Sequence, residues 1–379
     1  MTPSSVLLVA DYFHPHRGGI ESHVHTLARH LEHAGVRVGV ATPFPGQESV
    51  DGVRVHRLPA PLLPGVKCIW TTHAAAPFLT LLRRERFALV HCHSSIFSPA
   101  AAAAAYLAHC AGLPTVITFH SILGHYARPF ALLDRLTRWT DLPLSFTAVS
   151  DSVASDLGHL LGARPIAILP PAFESQHWQP VEVKPDRGTF RIVSTMRLAN
   201  RKRPGVLIDV IADVKERLAG SRKLRVRVIG DGGERAYVER MIAQRRLGDE
   251  VTLLGTLTRE QIRDVYAEAD AFVLPSIQES FGLAVLEARA VGLPIVVLAS
   301  SGAARFIRHG REGLIAQSDG DLAAALVRLA NSPELHQRIA THNRETRPSF
   351  CREESVRLHQ ECYADAIARR ASGIARGGR

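Results

Sequence analysis

The chain has 379 residues, of which 46% are hydrophobic and 22% charged, and its formal net charge is +10. This length predicts two domains of about 150–200 residues each, and no apolar run reaches the ~18 residues that a membrane-spanning helix needs. The basic charge would suit nucleic acid, an anionic membrane or a phosphorylated substrate. Because the arginines are dispersed without interleaved aromatic residues, we expect no nucleic-acid partner.

The cysteines and the start of the chain indicate a compartment. The five cysteines are odd in number, scattered and without a CxxC spacing, which favours free thiols in a reducing environment. The apolar segment 6–10 is too short for a signal-peptide core, and no Lys or Arg precedes it. We therefore expect a cytoplasmic protein, with any peripheral membrane contact on the inner surface.

Short apolar runs alternate with helical stretches in the first half of the chain. A helix is predicted from Ile20, with Val24, Leu27 and Leu31 on the same face, and Gly35 suits the position just after its end. A second helix is predicted from Pro99. The strands are predicted at 6–10, directly after Gly35, and at 87–93, 114–120, 145–150 and 165–170. Strands separated by helices predict a parallel sheet covered on both faces.

The second half repeats this α/β alternation after a Pro-rich and polar segment at 170–188. Strands are predicted at 190–196, 224–230, 251–255, 271–276 and 294–299, and helices near 203–219, 234–246, 259–268, around Glu287, near 321–331 and at 352–370. We predict a first domain at 1–175, a linker at 176–188, a second domain at 189–354 and a disordered tail at 373–379. In such folds the ligand lies outside the carboxyl ends of the strands, which predicts a site in the cleft between the halves.

Two glutamates eight positions apart, Glu279 and Glu287, flank the predicted start of a helix. With Gly282 at that start, the N–H groups of Gly282, Leu283 and Ala284 would form an anion site suited to a phosphate. The two carboxylates would then accept hydroxyl groups of a sugar on each side of the phosphates. The alternative is that Glu279 caps the helix and Glu287 is a surface residue.

Arg197 and Lys202 lie in the loop after a predicted strand, five positions apart. Cations at a strand end are what a diphosphate needs when no metal neutralises it. The alternative is a solvated basic loop, since Arg201 and Arg203 flank Lys202 in the sequence.

Two short motifs are ambiguous by themselves. Gly18 and Gly19 end the first strand-to-helix loop and would let the backbone approach a ligand, but the loop lacks the GxGxxG pattern of dinucleotide cofactors. Asp319 and Asp321 have the DxD spacing of metal-dependent sugar-nucleotide enzymes. They directly precede a predicted helix, which favours capping.

Histidines are concentrated in the first half, where 15 of the 19 lie before residue 178. His120 ends a predicted strand, at the edge where ligands bind. His91 and His93 share a strand face, and with Cys92 they raise the question of zinc. Cys92 would point to the opposite face and a third ligand is not evident, so we predict no metal site.

The spacing of Glu279 and Glu287 resembles the EX7E arrangement of retaining glycosyltransferases. The chain resembles family 4 of those enzymes, which have the GT-B fold of two Rossmann-like domains. The likeness is carried by GGIESHVHTLARHL, LVHCHS, TVITFHS and TMRLANRKRP, and above all by residues 251–296. The resemblance implies two domains facing each other across a cleft, and a last helix, 355–372, that crosses back to the N-terminal domain.

The resemblance also implies residue roles. Glu287 would hold the ribose of the donor, and Glu279 the hydroxyl groups of its sugar. Arg197 and Lys202 would neutralise the diphosphate, and His120 would lie near the C6 side of the sugar. The implied donor-binding residues are Gly18, Gly19, Arg197, Lys202, Glu279, Ser280, Phe281, Gly282, Leu283 and Glu287. The implied catalytic residues are His120, Glu279, Arg197 and Lys202, without a cofactor or metal.

The expected reaction is transfer of a hexose, GlcNAc or another, from a nucleotide diphosphate sugar to a hydroxyl of a small polar or lipid-linked acceptor. A UDP-sugar is the favoured donor. GGIESH, HSSIFSPAA and TFHSILG resemble transferases that place N-acetylglucosamine on phosphatidylinositol. No carboxylate is an obvious nucleophile, so we expect same-face attack with retention. The segment PPAFES and Arg305 depart from the family pattern and leave the donor open.

Three alternatives remain at this point. One is a nucleotide-sugar epimerase of the same fold, and another is a GDP-mannose-dependent mannosyltransferase. The third is a non-catalytic, basic membrane-surface module, in which 122–140 forms an interfacial helix with Ile122, Tyr126, Phe130, Leu133, Leu136 and Trp139 on its apolar face. For that segment we favour a helix that packs on the core. The sequence leaves the oligomeric state open.

Overall fold

A computed structural model describes residues 3–16, 18–59, 72–95, 97–171, 173–174, 176–180, 188–219, 221–346, 348 and 352–377. The chain divides into two compact units. Unit 1 comprises Met1–Phe173 and Phe350–Arg379, and unit 2 comprises Glu174–Ser349. Of the predicted linker, residues 181–187 lie outside the described part of the chain.

Unit 1 is a sheet with helices on both faces. Its strands are β1 (Ser5–Ala10), β2 (Arg37–Thr42), β3 (Ser49–Val50), β4 (Val53–Arg57), β5 (Leu89–Ser94), β6 (Thr115–Phe119), β7 (Ser145–Ala148) and β8 (Ala167–Ile168). Its helices are α1 (Gly19–His33), α2 (Thr72–Glu85), α3 (Pro99–Cys110), α4 (Ala127–Thr137), α5 (Asp151–Leu161) and a last helix at Arg352–Gly377, with short 3-10 helices at Gly124–Tyr126 and Trp139–Asp141. Among the described residues the strand order is β3-β4-β2-β1-β5-β6-β7-β8, and only the β3–β4 pair is antiparallel.

Strand β1 shows why this sheet is buried on both sides. Val6 and Leu8 belong to one apolar cluster, which also contains Val24 and Leu27 of α1. Leu7 and Val9 belong to a second cluster on the opposite face. Because successive strand residues point to opposite faces, an unbroken apolar run is what a two-sided parallel sheet requires.

The last helix packs on unit 1, as the resemblance implies. Its residues Cys362, Tyr363 and Ala366 are buried in the same apolar cluster as helix α1. The helix continues to Gly377, whereas we predicted a disordered tail from residue 373. Each residue added to an existing helix brings one backbone hydrogen bond, so a formed helix can extend beyond its packed part. Residues 378 and 379 lie outside the described part.

Helix α4 packs on the core of unit 1. Ile122, Phe130 and Trp139 lie against its apolar cluster, and the ring of Trp139 is 5.4 Å from that of Phe146. This packing agrees with the core-facing interpretation of the segment 122–140. The side chains of Leu133 and Leu136 lie outside what the structure describes.

Unit 2 is a second parallel sheet with helices. Its strands are β9 (Thr189–Thr195), β10 (Lys223–Ile229), β11 (Val251–Gly255), β12 (Ala271–Leu274), β13 (Ile295–Leu298) and β14 (Gly313–Ala316). Its helices are α6 (Pro204–Arg217), α7 (Arg235–Gln244), α8 (Arg259–Ala267), α9 (Leu283–Val291), α10 (Asp319–Asn331) and α11 (Pro333–Glu345), with 3-10 helices at Asn200–Lys202 and Gly302–Phe306. The last helix of the chain, Arg352–Gly377, is therefore α12.

The strand order of unit 2 is β11-β10-β9-β12-β13-β14, with parallel pairing throughout its described strands. The chain runs outward from β9 in one direction to β10 and β11, then returns to the other side of β9 with β12. The order therefore reverses between β9 and β12. In open α/β sheets a crevice forms at such a reversal, outside the carboxyl ends of the strands.

Among the helices that the structure describes, none combines the length and the apolar composition needed to cross a membrane.

Candidate functional site

The loop after β9 and the loop after β12 are joined at the reversal of strand order in unit 2. Lys202 ends the 3-10 helix after β9, and its ammonium group donates a 2.5 Å hydrogen bond to the carboxylate of Glu279. Both side chains are mostly buried, at 15% and 14% exposed. The hydroxyl of Ser276 donates to the Lys202 carbonyl at 3.2 Å, which fixes the two loops further. The structure thus brings together two residues that the sequence predicted separately.

Helix α9 begins at this junction. Its N-cap residue is Gly282, in the left-handed region at φ +89°, so Glu279 is not the N-cap residue that the alternative interpretation required. A Cβ atom at Gly282 would lie 2.6 Å from the Cβ of Ala303. Leu283 is the first helical residue, and the first N–H groups of a helix have no acceptor within it. They carry the partial positive charge of the helix end, beside Lys202.

The 3-10 helix Gly302–Phe306 supports the loop that carries Glu279. A Cβ atom at Gly302 would clash with the backbone oxygen of Glu279, so a side chain does not fit there. The ring of Phe281 is buried and packs 4.8 Å from that of Phe306. Arg305 lies over both rings, at 4.9 and 4.7 Å. Phe281 therefore acts through packing, and Arg305 joins the same cluster.

Ser280, which we predicted to bind the donor, is 9% exposed in the loop that carries Glu279.

Arg197 is solvent-exposed after β9. The segment around it is held by the loop after β10, since the amide of Leu198 donates to Asp231 at 3.0 Å and the amide of Glu234 donates to Leu198 at 2.9 Å. Gly230 and Gly232 allow this contact because a Cβ atom at either position would clash with the backbone there. We did not predict from the sequence that the loop after β10 supports this segment, although glycines directly after a parallel strand were a signal for it.

Glu287 lies inside α9 and is partly buried. Burial raises its pKa to about 7, an effect that Arg259 opposes. Tyr266 is fully buried nearby. Its hydroxyl donates to Thr195 at 2.8 Å, and burial together with the Glu287 charge raises its pKa. Glu287 is thus not the fully solvated helix residue of the alternative interpretation.

The carboxylates of the DxD segment have structural partners. Ser318 caps α10 and forms a capping box with Asp321, as the capping interpretation predicted. Asp319 accepts two hydrogen bonds from the guanidinium of Arg203, at 2.9 and 2.7 Å. Arg203 also donates to the carbonyl of Pro275 at 3.1 Å. Arg203 therefore ties the loop of Lys202 to β12 and α10, a role that sequence analysis did not assign.

In unit 1 the predicted glycines lie at the start of α1. Gly18 is the N-cap residue with extended backbone, and a Cβ atom there would clash with the carboxylate of Glu21. The same carboxylate lies 3.0 Å from the ring of His16. Apart from the adjacent residues and the backbone of α1, no described atom lies within 4 Å of where a Cβ atom would stand at Gly19. A side chain at Gly18 would therefore displace the Glu21 carboxylate, whereas the space beside Gly19 is open.

His120 directly follows β6 and is 9% exposed. Its Nε2 lies 3.0 Å from Nδ1 of His93, and burial lowers its pKa to about 3, so the ring is neutral at physiological pH. His91 is hydrogen-bonded at both ring nitrogens, to Tyr363 at 2.8 Å and Thr118 at 2.6 Å. Cys92 lies in the apolar cluster on the opposite face of the sheet, as predicted from the strand alternation.

Two parallel-sheet, Rossmann-like units with these elements are the GT-B architecture of glycosyltransferases. Residues 17–177 match the sequence model of Glycosyltransferase Family 4, and residues 178–346 match the model of Glycosyl transferases group 1. The two models together span residues 17–346, and the chain therefore belongs to the family 4 glycosyltransferases.

Sequence relatives have names that describe inositol-containing acceptors. The chain is 28% identical over 308 residues to a phosphatidylinositol N-acetylglucosaminyltransferase subunit of Homo sapiens, covering 77% of this chain and 61% of the human protein. The Arabidopsis thaliana protein of the same name is 27% identical, with 88% and 77% covered. D-inositol 3-phosphate glycosyltransferase of Pseudarthrobacter chlorophenolicus is 28% identical, with 81% and 80% covered. The chain thus spans about three fifths of the human relative.

Solved structures share the fold. The Anabaena protein HepE, in complex with UDP and glucose, is similar with a TM-score of 0.76 at 18% identity, covering 95% of this chain and 99% of that one. Sucrose-phosphate synthase from Thermosynechococcus elongatus has a TM-score of 0.76 at 19% identity, with 96% and 99% covered.

Proposed function

We propose that this glycosyltransferase moves a hexose, N-acetylglucosamine or another, from a UDP-sugar to a hydroxyl group of an inositol-type acceptor, with retention at the anomeric carbon. The observation that carries the proposal is the meeting of Lys202, Glu279 and the start of α9 at the reversal of strand order in unit 2. The names of the relatives support the sugar and the acceptor. The complexes of HepE support the choice of UDP.

The proposed donor site places the diphosphate at the amino end of α9. The N–H groups of Leu283 and Ala284 would supply partial positive charge, and Lys202 and Arg197 full charges. The helix start and Lys202, which Glu279 holds in place, are preorganised, so with Arg197 they would stabilise the charge that grows on the leaving diphosphate without a metal ion. Glu279 would accept hydroxyl groups of the hexose. In that arrangement Lys202 would lie between the diphosphate and the sugar-binding carboxylate of Glu279.

Glu287 is proposed to hold the ribose. Its carboxyl group is set one turn beyond the helix start, next to buried Tyr266 and opposed in charge by Arg259. A partly buried carboxyl group with a raised pKa forms stronger hydrogen bonds to a diol than a fully solvated one, because less water competes for it. His120 of unit 1 is proposed, from the family resemblance, to contact the C6 side of the hexose.

The proposed reaction is same-face attack by the acceptor hydroxyl. The bond between the anomeric carbon and the diphosphate oxygen breaks through an oxocarbenium-like transition state. The acceptor oxygen bonds to the same face, and its proton passes to the leaving phosphate oxygen. This route needs no carboxylate nucleophile on the far face of the sugar, in contrast to retaining glycosidases.

A donor screen tests this function first. A ligand that binds only the folded chain raises its melting temperature, so UDP-, GDP-, ADP- and dTDP-sugars are compared in one thermal-shift series. We expect the largest shift with a UDP-sugar. The largest shift with GDP-mannose would point instead to a mannosyltransferase.

The acceptor and the stereochemistry follow in a second experiment. The donor that binds is incubated with myo-inositol, with inositol 3-phosphate and with phosphatidylinositol vesicles, and the anomeric configuration of the product is read by NMR. We expect a product with the anomeric configuration of the donor. Formation of an epimer from the donor alone would identify an epimerase, and an inverted product would overturn the same-face mechanism.

A further inference from the structure

Five histidines of unit 1 form a buried cluster, which we call the histidine cluster: His23, His91, His93, His120 and His359. They come from α1, β5, the end of β6 and α12, and each is between 0% and 9% exposed. Imidazole rings are rarely gathered in a protein interior without polar partners or a ligand, because each buries polar atoms. The function proposed above uses one of them, His120.

Three members of the histidine cluster form a nearly equilateral triangle. The ring centroids of His23, His93 and His120 are 5.1, 5.3 and 5.3 Å apart. Each ring offers a nitrogen, and the three nitrogens lie within 4.8 Å of one another. The closest pair, Nδ1 of His93 and Nε2 of His120, is 3.0 Å apart.

The distances between the ring centroids match those of a metal centre. With Zn–N bonds of about 2.0–2.1 Å and tetrahedral angles, three imidazole nitrogens lie about 3.3 Å apart and their ring centroids about 5.2 Å apart. The observed centroid triangle has these dimensions already. To surround one ion, the nitrogens that lie up to 4.8 Å apart would close to about 3.3 Å by rotation of the rings about their side-chain torsions, and the 3.0 Å pair would open by a few tenths of an ångström.

The protonation state also suits a cation. Burial and the neighbouring histidines lower the pKa values of His23 and His93 well below the ordinary value, and burial lowers that of His120 to about 3. Neutral imidazole is the form that ligates metals, because one ring nitrogen has a free lone pair. Neutral rings have no net charge with which to attract a phosphate, so an anionic ligand is disfavoured in the same place.

The other two members of the histidine cluster differ from the triangle. His91 has hydrogen bonds at both nitrogens, so it has no lone pair to offer. His359 directs Nδ1 at the carbonyl of Ser355, 2.7 Å away, and its ring is 6.1 Å from that of His23. Nε2 is buried without a hydrogen-bond partner among the described residues in both His93 and His359, and it is Nδ1 of His93 that faces His120. The spacing of the three rings therefore makes the triangle the part suited to bind an ion.

We propose that His23, His93 and His120 hold one divalent transition-metal ion, with Zn²⁺ as the preferred ion and a water molecule in the fourth position. Imidazole ligands, and ring spacings that match three positions of a tetrahedral centre, favour Zn²⁺ over Mg²⁺ or Ca²⁺, which prefer oxygen ligands. The ion would join α1, β5 and the end of β6, and its binding energy would add to the stability of unit 1. From the sequence we considered His91 and His93 together with Cys92 as zinc ligands and predicted no metal site, so this proposal departs from that prediction.

The metal proposal does not rest on the proposed transferase function, and its test does not use activity. The full-length chain is purified without a histidine tag, stripped with a chelator and titrated with Co²⁺, whose visible absorption reports tetrahedral coordination. Zn²⁺ is then titrated in competition with a chromophoric chelator. We expect one ion per chain and displacement of Co²⁺ by Zn²⁺. Absence of stoichiometric binding by the wild-type chain would overturn the proposal.

The variants His23→Gln and His93→Gln locate the site, and His159→Gln, at an exposed position of α5, is the matched control. We expect Zn²⁺ affinity to fall at least ~100-fold in the first two variants and to be unchanged in the control. Loss of a residue that only orients a metal ligand already lowers metal affinity by about 10–100-fold, so loss of a ligand should lower it at least as much. Unchanged affinity in a folded His23 or His93 variant contradicts the proposal. X-ray absorption of the Zn²⁺-loaded wild type counts imidazole ligands, and fewer than three overturns it even if a variant fails to fold.

Discussion

Lys202 and Glu279 form an ion pair across 2.5 Å although 77 positions separate them in the chain. They come from the loops after β9 and β12, the two strands between which the order of the unit 2 sheet reverses. Both are mostly buried, so the pair is less screened by solvent than a surface ion pair. The pair sets a cation and a carboxylate beside the start of α9, and it provides the first tests of the proposed function.

Replacing Lys202 separates a catalytic role from general basic charge. We expect Lys202→Ala to lower kcat by about 10²–10³, because one preorganised stabiliser of the leaving diphosphate is lost. Arg201→Ala changes the adjacent, exposed residue and should leave kcat within about twofold. Steady-state rates with the donor found by thermal shift measure both. Equal effects of the two variants would contradict a specific role for Lys202.

A double-mutant cycle measures the coupling within the pair. Lys202→Met and Glu279→Gln each leave a mostly buried partner without its counter-charge, so each should destabilise the chain. We expect the double variant to be more stable than the sum of the single effects predicts, with a coupling free energy of about 1–3 kcal/mol. Urea denaturation of all four proteins gives this value. Additive effects would show that the pair contributes nothing to folding.

The raised pKa of Glu287 makes stability depend on pH. Its folded-state pKa is about 7 against an ordinary value of 4.5, so between these two values the folded chain binds more protons at this site than the unfolded chain. The contribution of Glu287 to the free energy of unfolding therefore decreases as pH rises from 4.5 to 7. We expect Glu287→Gln to remove this decrease.

The measurement is urea denaturation of wild type and Glu287→Gln at pH 5 and pH 8. The variant should gain stability relative to wild type at pH 8, and the gain should be smaller at pH 5. Glu216→Gln, at an exposed position of α6, controls for the loss of one negative charge. A pH-independent difference between Glu287→Gln and wild type would show that the Glu287 carboxyl group is solvated.

The glycine at 302 supports the loop of Glu279, and its replacement should disturb that loop. An added Cβ atom would clash with the Glu279 backbone oxygen, so the loop must move. We expect Gly302→Ala to cost about 1–3 kcal/mol of stability, as overpacking does elsewhere, and to weaken donor binding. Gly233→Ala is the matched control, because no described atom beyond the two adjacent residues lies within 4 Å of a Cβ atom there. Thermal melts with and without donor compare the two variants, and equal behaviour contradicts the packing argument.

An exposed part of α4 offers a test of peripheral membrane contact. Leu132 is 63% exposed and Tyr126 is 46% exposed, and Arg128 and Arg135 lie on the same segment. Apolar side chains among basic ones suit an anionic membrane surface. We expect the chain to sediment with vesicles that contain phosphatidylinositol, and Leu132→Glu to reduce the bound fraction.

Tyr237→Glu, at an exposed position of unit 2, serves as the control for this vesicle experiment. It adds the same negative charge away from α4 and should leave the bound fraction unchanged. No sedimentation of the wild type would favour a soluble acceptor. Equal losses for the two variants would mean that binding depends on net charge alone.

Much of the fold was predictable because its strands are apolar runs of the length that parallel sheets require. The predicted strands at 6–10 and 251–255 correspond to β1 and β11, and Gly35 lies just past α1 with a left-handed φ of +81°. The hairpin β3–β4 and helix α2 were missed. Helix α2 contains Pro77, which weakens its helical pattern, whereas VRVHR of β4 alternates apolar and polar residues, a short period-two signal that our prediction overlooked.

The sequence by itself determined the two α/β halves, the loops that follow their strands, and the residue types in those loops. Local periodicity and turn chemistry decide these features, and both are written in neighbouring residues. Only the tertiary structure decided that Lys202 pairs with Glu279, that Arg203 holds Asp319, and that three distant histidines form a triangle. These contacts depend on the lateral order of the strands and on where α1 packs, which long-range burial sets and which no short stretch of sequence encodes.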